Sequence, residues 1–298
     1  MRLGFIGVGN MGNPIATNLI KKGHQLSVHD LNQEIATNLL EMGAAWAESP
    51  KIATEGNEVI FTSLPGPREV EAVALGGEGI LEGATPSTIY VDLSSNSPTT
   101  IRRIHQRFQS QGIEVLDAPV SGGVDGAADG TLSVMVGGDS VTFHKLEPVF
   151  AAFGSNVFYC GPIGNGMVCK ICNNLMAMGI TNLLAESLTL GVKAGVDLNL
   201  LANVISKSSG HSRRLQERMP HYLFKGNFQP GFAAKLAAKD VRLATDLGRE
   251  FGLPMEISNL IDQQYVEAMV KGWGDMDADI IAMLQEEKTG IHLRTKQE

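Results

Sequence analysis

Short apolar runs separated by amphipathic stretches fill the first half of the chain. The runs are Leu3–Ile6, Leu26–His29, Glu58–Ser63, Thr88–Asp92, Glu114–Asp117, Ser133–Val136 and Val157–Tyr159. Seven short strands with helical stretches between them predict a mostly parallel α/β sheet, because parallel neighbours must be joined by crossovers. The character changes after Gly161-Pro162-Ile163-Gly164. From there to residue 288, apolar positions recur at helical period with few β-branched runs, which predicts an all-helical second part. The expected division is a sheet domain over residues 1–162 and an all-helical domain over 163–298.

The first helix of the second part, from about Asn165 to Ala194, is apolar on almost every side, with Met167, Val168, Ile171, Leu175, Met178, Leu183, Leu184, Leu188 and Leu190. A helix apolar all round is expected to be buried, here as the spine of the helical domain and of a subunit interface. Breaks at Gly195-Val196-Asp197, Ser208-Ser209-Gly210 and Asn227–Gly231 divide the remainder into further helices. The charged tail from Lys288 is expected to be loose.

Composition narrows the chemistry. With 298 residues, 43% of them apolar and 19% charged, the chain can bury a sizeable core. A net charge of -8 without a lysine-rich run opposes a nucleic-acid partner and favours small-molecule work. Cys160, Cys169 and Cys172 lack the spacing of a disulfide framework, and the last two are expected in the core rather than in a metal or redox site. No metal is expected. The first strand begins almost at Met1, which leaves no room for a targeting leader, and no stretch of about 20 uncharged apolar residues suggests a membrane span. A cytoplasmic protein is the expectation.

The first run leads directly into Gly7-Val8-Gly9-Asn10-Met11-Gly12, followed by a helical stretch with Ile15, Leu19 and Ile20. In a strand-turn-helix context this spacing has a mechanism. The first glycine permits the turn, the second lets backbone approach a pyrophosphate, and the third lets helix and strand close together. Asp30 ends the second strand, 18 residues beyond Gly12, where a carboxylate can accept from ribose hydroxyls. It would repel a 2′-phosphate, and Leu31-Asn32-Gln33 offers no arginine to bind one, so NAD is favoured over NADP. The fold class implied is a Rossmann-type domain followed by an all-α domain. Ser63-Leu64-Pro65-Gly66 and Asp92-Leu93-Ser94-Ser95 sit at two later strand ends, where ligands of such sheets bind.

Hydroxyl oxidation needs a group that takes the hydroxyl proton as hydride departs. Lys170 lies among Met167, Val168, Ile171 and Cys172, and a lysine desolvated by apolar neighbours can become a usable base. Asn174 follows at i+4 on the same helix face. The residues alone leave equally open a lysine that snorkels to solvent. Asp117-Ala118-Pro119-Val120-Ser121-Gly122-Gly123 follows a strand and can present a hydroxyl and bare amides to a carboxylate, or can serve only as a glycine-rich turn.

Taken in order, these motifs, with Gly126, Gly130-Thr131-Leu132, Gly164-Asn165-Gly166 and Lys239-Asp240, resemble the β-hydroxyacid dehydrogenase family, of the 3-hydroxyisobutyrate dehydrogenase and tartronate semialdehyde reductase type, over essentially the full length. The resemblance implies that Lys170 is the catalytic acid/base, that Ser121, Gly122 and Gly123 bind the substrate carboxylate and that Asn174 orients substrate. It implies further that Gly7, Gly9, Asn10, Met11, Gly12, Asp30, Leu64, Pro65, Ser95 and Lys239 attend the cofactor, and that the protein is a homodimer or homotetramer. Two departures, Ser95 where the family often has threonine and Ile15 where it often has methionine, remove no donor. Asn173 stands where the related 6-phosphogluconate dehydrogenases carry histidine, which argues against that substrate.

Three other activities share parts of this pattern. A glyoxylate or succinic semialdehyde reductase lies within the same family. An imine reductase of this architecture would usually lack Lys170. A nonenzymatic cofactor-binding module would also be marked by its loss. Within the helical part, Ser208-Ser209-Gly210-His211-Ser212-Arg213-Arg214 is either a specificity segment for a second acidic group or a solvated helix start with serine as cap. Phe232 is either a substrate contact or core.

Overall fold

Each predicted run forms a strand in the computed structural model, which describes residues 1–295. They are β1 (Arg2–Ile6), β2 (Gln25–His29), β3 (Ala45–Trp46), β4 (Val59–Thr62), β5 (Ile89–Asp92), β6 (Glu114–Asp117), β7 (Val120–Ser121), β8 (Leu132–Gly137) and β9 (Gly154–Gly161). The two unpredicted strands, β3 and β7, have two residues each, too few for alternation to register. The chain divides into a unit over residues 1–170 and a second from Ile171 onward.

In the first unit β3-β2-β1-β4-β5-β6 run parallel in that order, and β8 joins antiparallel to β6 and to β7, with β9 parallel to β8. The order reverses between β1 and β4, so the carboxyl ends of those strands open a crevice at the switch point. The helices of this unit are α1 (Gly12–Lys21), α2 (Thr37–Glu41), α3 (Pro50–Thr54), α4 (Pro67–Leu75), α5 (Ile80–Gly83), α6 (Pro98–Gln109), α7 (Gly123–Asp129) and α8 (Ser140–Phe150).

Strand alternation sorts the core into two layers. Leu3, Phe5, Val59, Phe61 and Val91 join Ile15 and Leu19 of α1 and Phe143, Leu146 and Phe150 of α8 on one face. Ile6, Ile60, Tyr90 and Val115 join Val70 of α4 and Ile101, Ile104 and Phe108 of α6 on the other. Each such side chain contributes about 1.5–3 kcal/mol by leaving water.

The helix α9 (Asn165–Lys193) starts in the first unit and continues into the second, which adds α10 (Leu198–Ser206), α11 (Ala234–Glu250), α12 (Glu256–Val270) and α13 (Ala282–Thr289). Asp197 stops the chain after the glycine break and caps α10, its carboxylate accepting from Leu200 N–H at 3.0 Å. Leu184 and Leu188 of α9 pack with Leu198, Leu215, Met219, Leu223 and Leu293. Met178 of α9 packs with Val241, Ile261, Tyr265, Ile281 and Leu284.

Three expectations are corrected. Within one chain α9 is not buried on all sides, since Met176, Leu183 and Leu190 are 64%, 65% and 72% exposed. The segment after Lys288 is docked as far as it is described: Leu293 is buried, Arg294 pairs with the buried Glu286, and Thr295 N–H donates to the Phe224 carbonyl. Cys169 and Cys172 are exposed rather than core residues. By length and composition α9 could also cross a membrane, a point the sequence reading denied. Its first turn is instead built into the sheet domain, with Met167 in the β-sheet core.

Candidate active site

The glycine loop shows why each glycine is there. Gly7 has φ +89° and a Cβ on it would lie 2.4 Å from the Ser63 carbonyl oxygen, while one on Gly12 would lie 1.9 Å from that of Gly7. Gly9 differs, because a Cβ there would meet no protein atom within 4 Å. The first and third glycines therefore serve the fold, and the second keeps open a space that the protein does not use. Asn10 is exposed beside it, and Met11 packs partly against the core at the start of α1.

Asp30, at the end of β2, accepts from Val8 N–H of the loop at 2.9 Å through Oδ2 and from Asn32 N–H at 3.2 Å through Oδ1. The two neighbouring strand ends are tied together as well. Leu64 N–H donates to Ser94 Oγ at 2.9 Å, and Pro65 is exposed beside it. Asp92, fully buried at the end of β5, accepts from Thr62 Oγ1, Ser94 N–H and Asn96 Nδ2 at 2.9–3.0 Å. Burial raises its carboxyl above the ordinary range, and these donors oppose the rise. Asp92 shapes the turn that carries Ser95, a role the sequence reading missed. A glycine cradle with unused space, an acid after β2 and two ordered strand ends suit a dinucleotide.

Ser121 closes β7, paired opposite Ser133 of β8. Gly122 and Gly123 follow with φ +144° and +72°, values that favour glycine, and both are exposed. They stand at the start of α7. Next to this turn in sequence, Asp117 is buried, and its oxygens accept from Gly164 N–H and Met167 N–H, each at 2.7 Å. Burial pushes its carboxyl up to about 6 against those two donors, with Asp92 adding to the rise.

Lys170, on the second turn of α9, is only 8% exposed, between buried Met167 and Ile171. In the second unit Asn174 is buried on the next turn of α9, and its Nδ2 donates to Asp240 Oδ2 at 2.5 Å. Its Oδ1 accepts from Asn173 Nδ2 at 3.1 Å. Asp240 Oδ1 lies 3.2 Å from Lys239 Nζ, an ion pair without aligned hydrogen-bond geometry. Asp240 thus joins Asn174 to Lys239. The sequence reading quoted it only as part of a motif.

Elsewhere the second unit shows what the residues of two open alternatives touch. Arg214 donates to Asp279 Oδ1 at 2.8 Å and Thr181 Oγ1 at 2.8 Å, and Arg213 pairs with Glu217 at the surface. Ser212 Oγ accepts from Leu215 N–H at 3.3 Å, so the segment is a capped turn whose arginines are engaged by the protein's own carboxylates. Phe232 packs against the Met178 and Tyr265 core, and its N–H donates to Asp277.

Comparison with known proteins agrees with this geometry. Residues 2–161 match the family model described as the NAD binding domain of 6-phosphogluconate dehydrogenase. Residues 164–286 match that described as NAD-binding of NADP-dependent 3-hydroxyisobutyrate dehydrogenase. The chain is 35% identical to 2-(hydroxymethyl)glutarate dehydrogenase of Eubacterium barkeri over 98% of its length and 97% of the relative's. It is 36% identical to NAD-dependent L-serine dehydrogenase of Pseudomonas aeruginosa over 95% and 97%. Among solved structures, Mycobacterium tuberculosis 3-hydroxyisobutyrate dehydrogenase with L-serine superposes with TM-score 0.88, at 30% identity over 95% and 98%. Fold and glycine-loop site define an NAD(P)-dependent oxidoreductase with a Rossmann-type sheet followed by a helical part. Within that class, the chain belongs to the β-hydroxyacid dehydrogenase family.

Proposed function

We propose that the protein oxidises a small β-hydroxy acid to its semialdehyde or ketone, with Lys170 as general acid/base and NAD as the cofactor. The observation that carries this reading is a lysine shielded from water in the unit that holds the dinucleotide loop. Gly7, Gly9, Asn10, Met11 and Gly12 hold the pyrophosphate, Asp30 the ribose, and Leu64, Pro65 and Ser95 line the remainder. When bound, the nicotinamide supplies the hydride acceptor.

The chain's own residues do the rest. Ser121 Oγ and the Gly122 and Gly123 amides donate to the substrate carboxylate, so the carbon bearing the hydroxyl is placed by the far end of the molecule. The Asn174 amide orients the hydroxyl, itself held by Asp240. The Lys170 amine takes the hydroxyl proton in oxidation and, as ammonium, returns it to the carbonyl oxygen in reduction. The relatives' names span a second carboxylate and an amino group beside the hydroxymethyl carbon, and these mark the substrate range to test. The exposed apolar residues of α9 support a homodimer or homotetramer, and we place the enzyme in the cytoplasm.

The test is NAD and NADP reduction with 3-hydroxyisobutyrate, L-serine, 2-(hydroxymethyl)glutarate, glycerate, 3-hydroxypropionate and 4-hydroxybutyrate, with lactate as the α-hydroxy control. Turnover of a β-hydroxy acid with NAD, at least about tenfold better in kcat/KM than with NADP, is expected. Equal turnover of lactate, or none of the β-hydroxy acids, would overturn the reading.

A further inference from the structure

The first turn of α9 is capped from elsewhere in the chain. Gly164, whose carbonyl accepts from Val168 N–H at 3.0 Å, occupies the position where a serine, asparagine or aspartate would ordinarily cap a helix. It has no side chain, and at φ +89° the backbone favours none. The missing cap comes from Asp117, 47 residues earlier, which closes both the Gly164 and the Met167 N–H with its two oxygens.

The surroundings are built for this contact. A Cβ on Gly166 would lie 2.2 Å from the Met135 carbonyl oxygen and 2.9 Å from Asp117 Oδ2, and one on Gly137 would lie 2.4 Å from Asp117 Oδ1. Two glycines thus let β8 and α9 close over the carboxylate and exclude water. Three further bonds hold the incoming segment: Gly138 N–H to the Gly161 carbonyl, Asn165 Nδ2 to that of Cys160 and Arg102 Nε to that of Ile163. A buried carboxylate is a costly way to cap a helix, and at Gly164 the backbone leaves no place for a local cap, since a Cβ there would lie 2.8 Å from Arg102 Nε. What the remote carboxylate adds is a fixed link between β6 and α9.

We propose that Asp117 is a positioning residue, which fixes the first turn of α9 at the carboxyl end of β6 and thereby sets the place of the Lys170 amine, one turn beyond Met167. The proposal rests on the reading of Lys170 as acid/base. Charge and geometry both count, because an asparagine would offer one acceptor oxygen and turn an NH₂ group toward the other N–H.

The test combines amide hydrogen exchange and steady-state kinetics on full-length wild type, Asp117→Asn and Lys170→Ala. In Asp117→Asn, residues 162–171 exchange faster while residues 5–16 do not. Its kcat falls about 10- to 100-fold, with KM and the Kd for NAD nearly unchanged, as expected when a catalytic group is misplaced by a fraction of an ångström to an ångström. A cap with only a stabilising role would lower Tm and leave kcat at the wild-type value, which would overturn the proposal. So would unchanged exchange over 162–171. If Asp117→Asn keeps full kcat while Lys170→Ala is inactive, the positioning role fails and the catalytic reading stands. If Lys170→Ala keeps full kcat, the catalytic reading fails, and with it the positioning role. Should Asp117→Asn not fold, the wild type decides: Gly164 and Met167 amides protected like mid-helix amides support the anchor, and exchange at the rate of exposed amides overturns it.

Discussion

Gly9 and Gly12 belong to one loop, yet substitution separates ligand binding from folding. A methyl group on Gly12 would overlap the Gly7 carbonyl oxygen, so Gly12→Ala should lower stability by about 1–3 kcal/mol and weaken NAD together with it. A methyl group on Gly9 meets only empty space in the protein. Gly9→Ala should therefore leave Tm within about 2 °C of wild type and still raise the Kd for NAD at least about tenfold. Thermal melts beside a fluorescence titration check both, and a Gly9→Ala enzyme with wild-type affinity would contradict the cradle. The glycines and Asp30 were legible in the sequence because their partners are local or follow at a fixed interval. Asp92, Asp117 and Asp240 were not, because their roles come from donors that only the fold brings to them: Thr62, Gly164 and Asn174 lie 30, 47 and 66 residues away along the chain.

At the scale of the element, α9 shows the same division. Its limits were readable from the apolar run and the flanking glycines, but its degree of burial was not, because a run apolar on all sides does not say what covers each side. The cap on this helix also has a pH signature. The Asp117 carboxyl stands at about 6 in the folded protein, above its ordinary 3.8, so the folded state holds the proton more tightly than the unfolded chain. The stability this group contributes is then complete below about pH 4 and lost as pH rises through about 6, a loss on the order of 3 kcal/mol. Asp117→Asn cannot titrate. Denaturant unfolding at pH 4 to 7.5 should show wild-type stability falling by roughly that amount relative to the variant, and a constant difference would contradict the burial of a charged carboxylate.

For the whole molecule, the two-part organisation was legible because the hydrophobic period changes once, near residue 162. The docked C-terminal segment was not, since Ile291 and Leu293 are isolated apolar residues in a largely polar tail, and the burial of Leu293 depends on Phe224 and Leu223 far away in sequence. Met176, Leu183 and Leu190 recur at intervals of seven and so share one exposed side of α9. If a second copy of the chain covers them, sedimentation should give a dimer or tetramer, and Leu183→Lys with Leu190→Lys should shift it toward monomer with the circular dichroism spectrum retained. A monomeric wild type would contradict the assembly and leave the chemistry of each chain untouched.

Proton transfer by Lys170 is tested by the kcat of Lys170→Ala on the best β-hydroxy acid, beside its Kd for NAD. Loss of at least about 100-fold in kcat with cofactor affinity unchanged is the predicted result. A variant as fast as wild type would contradict it.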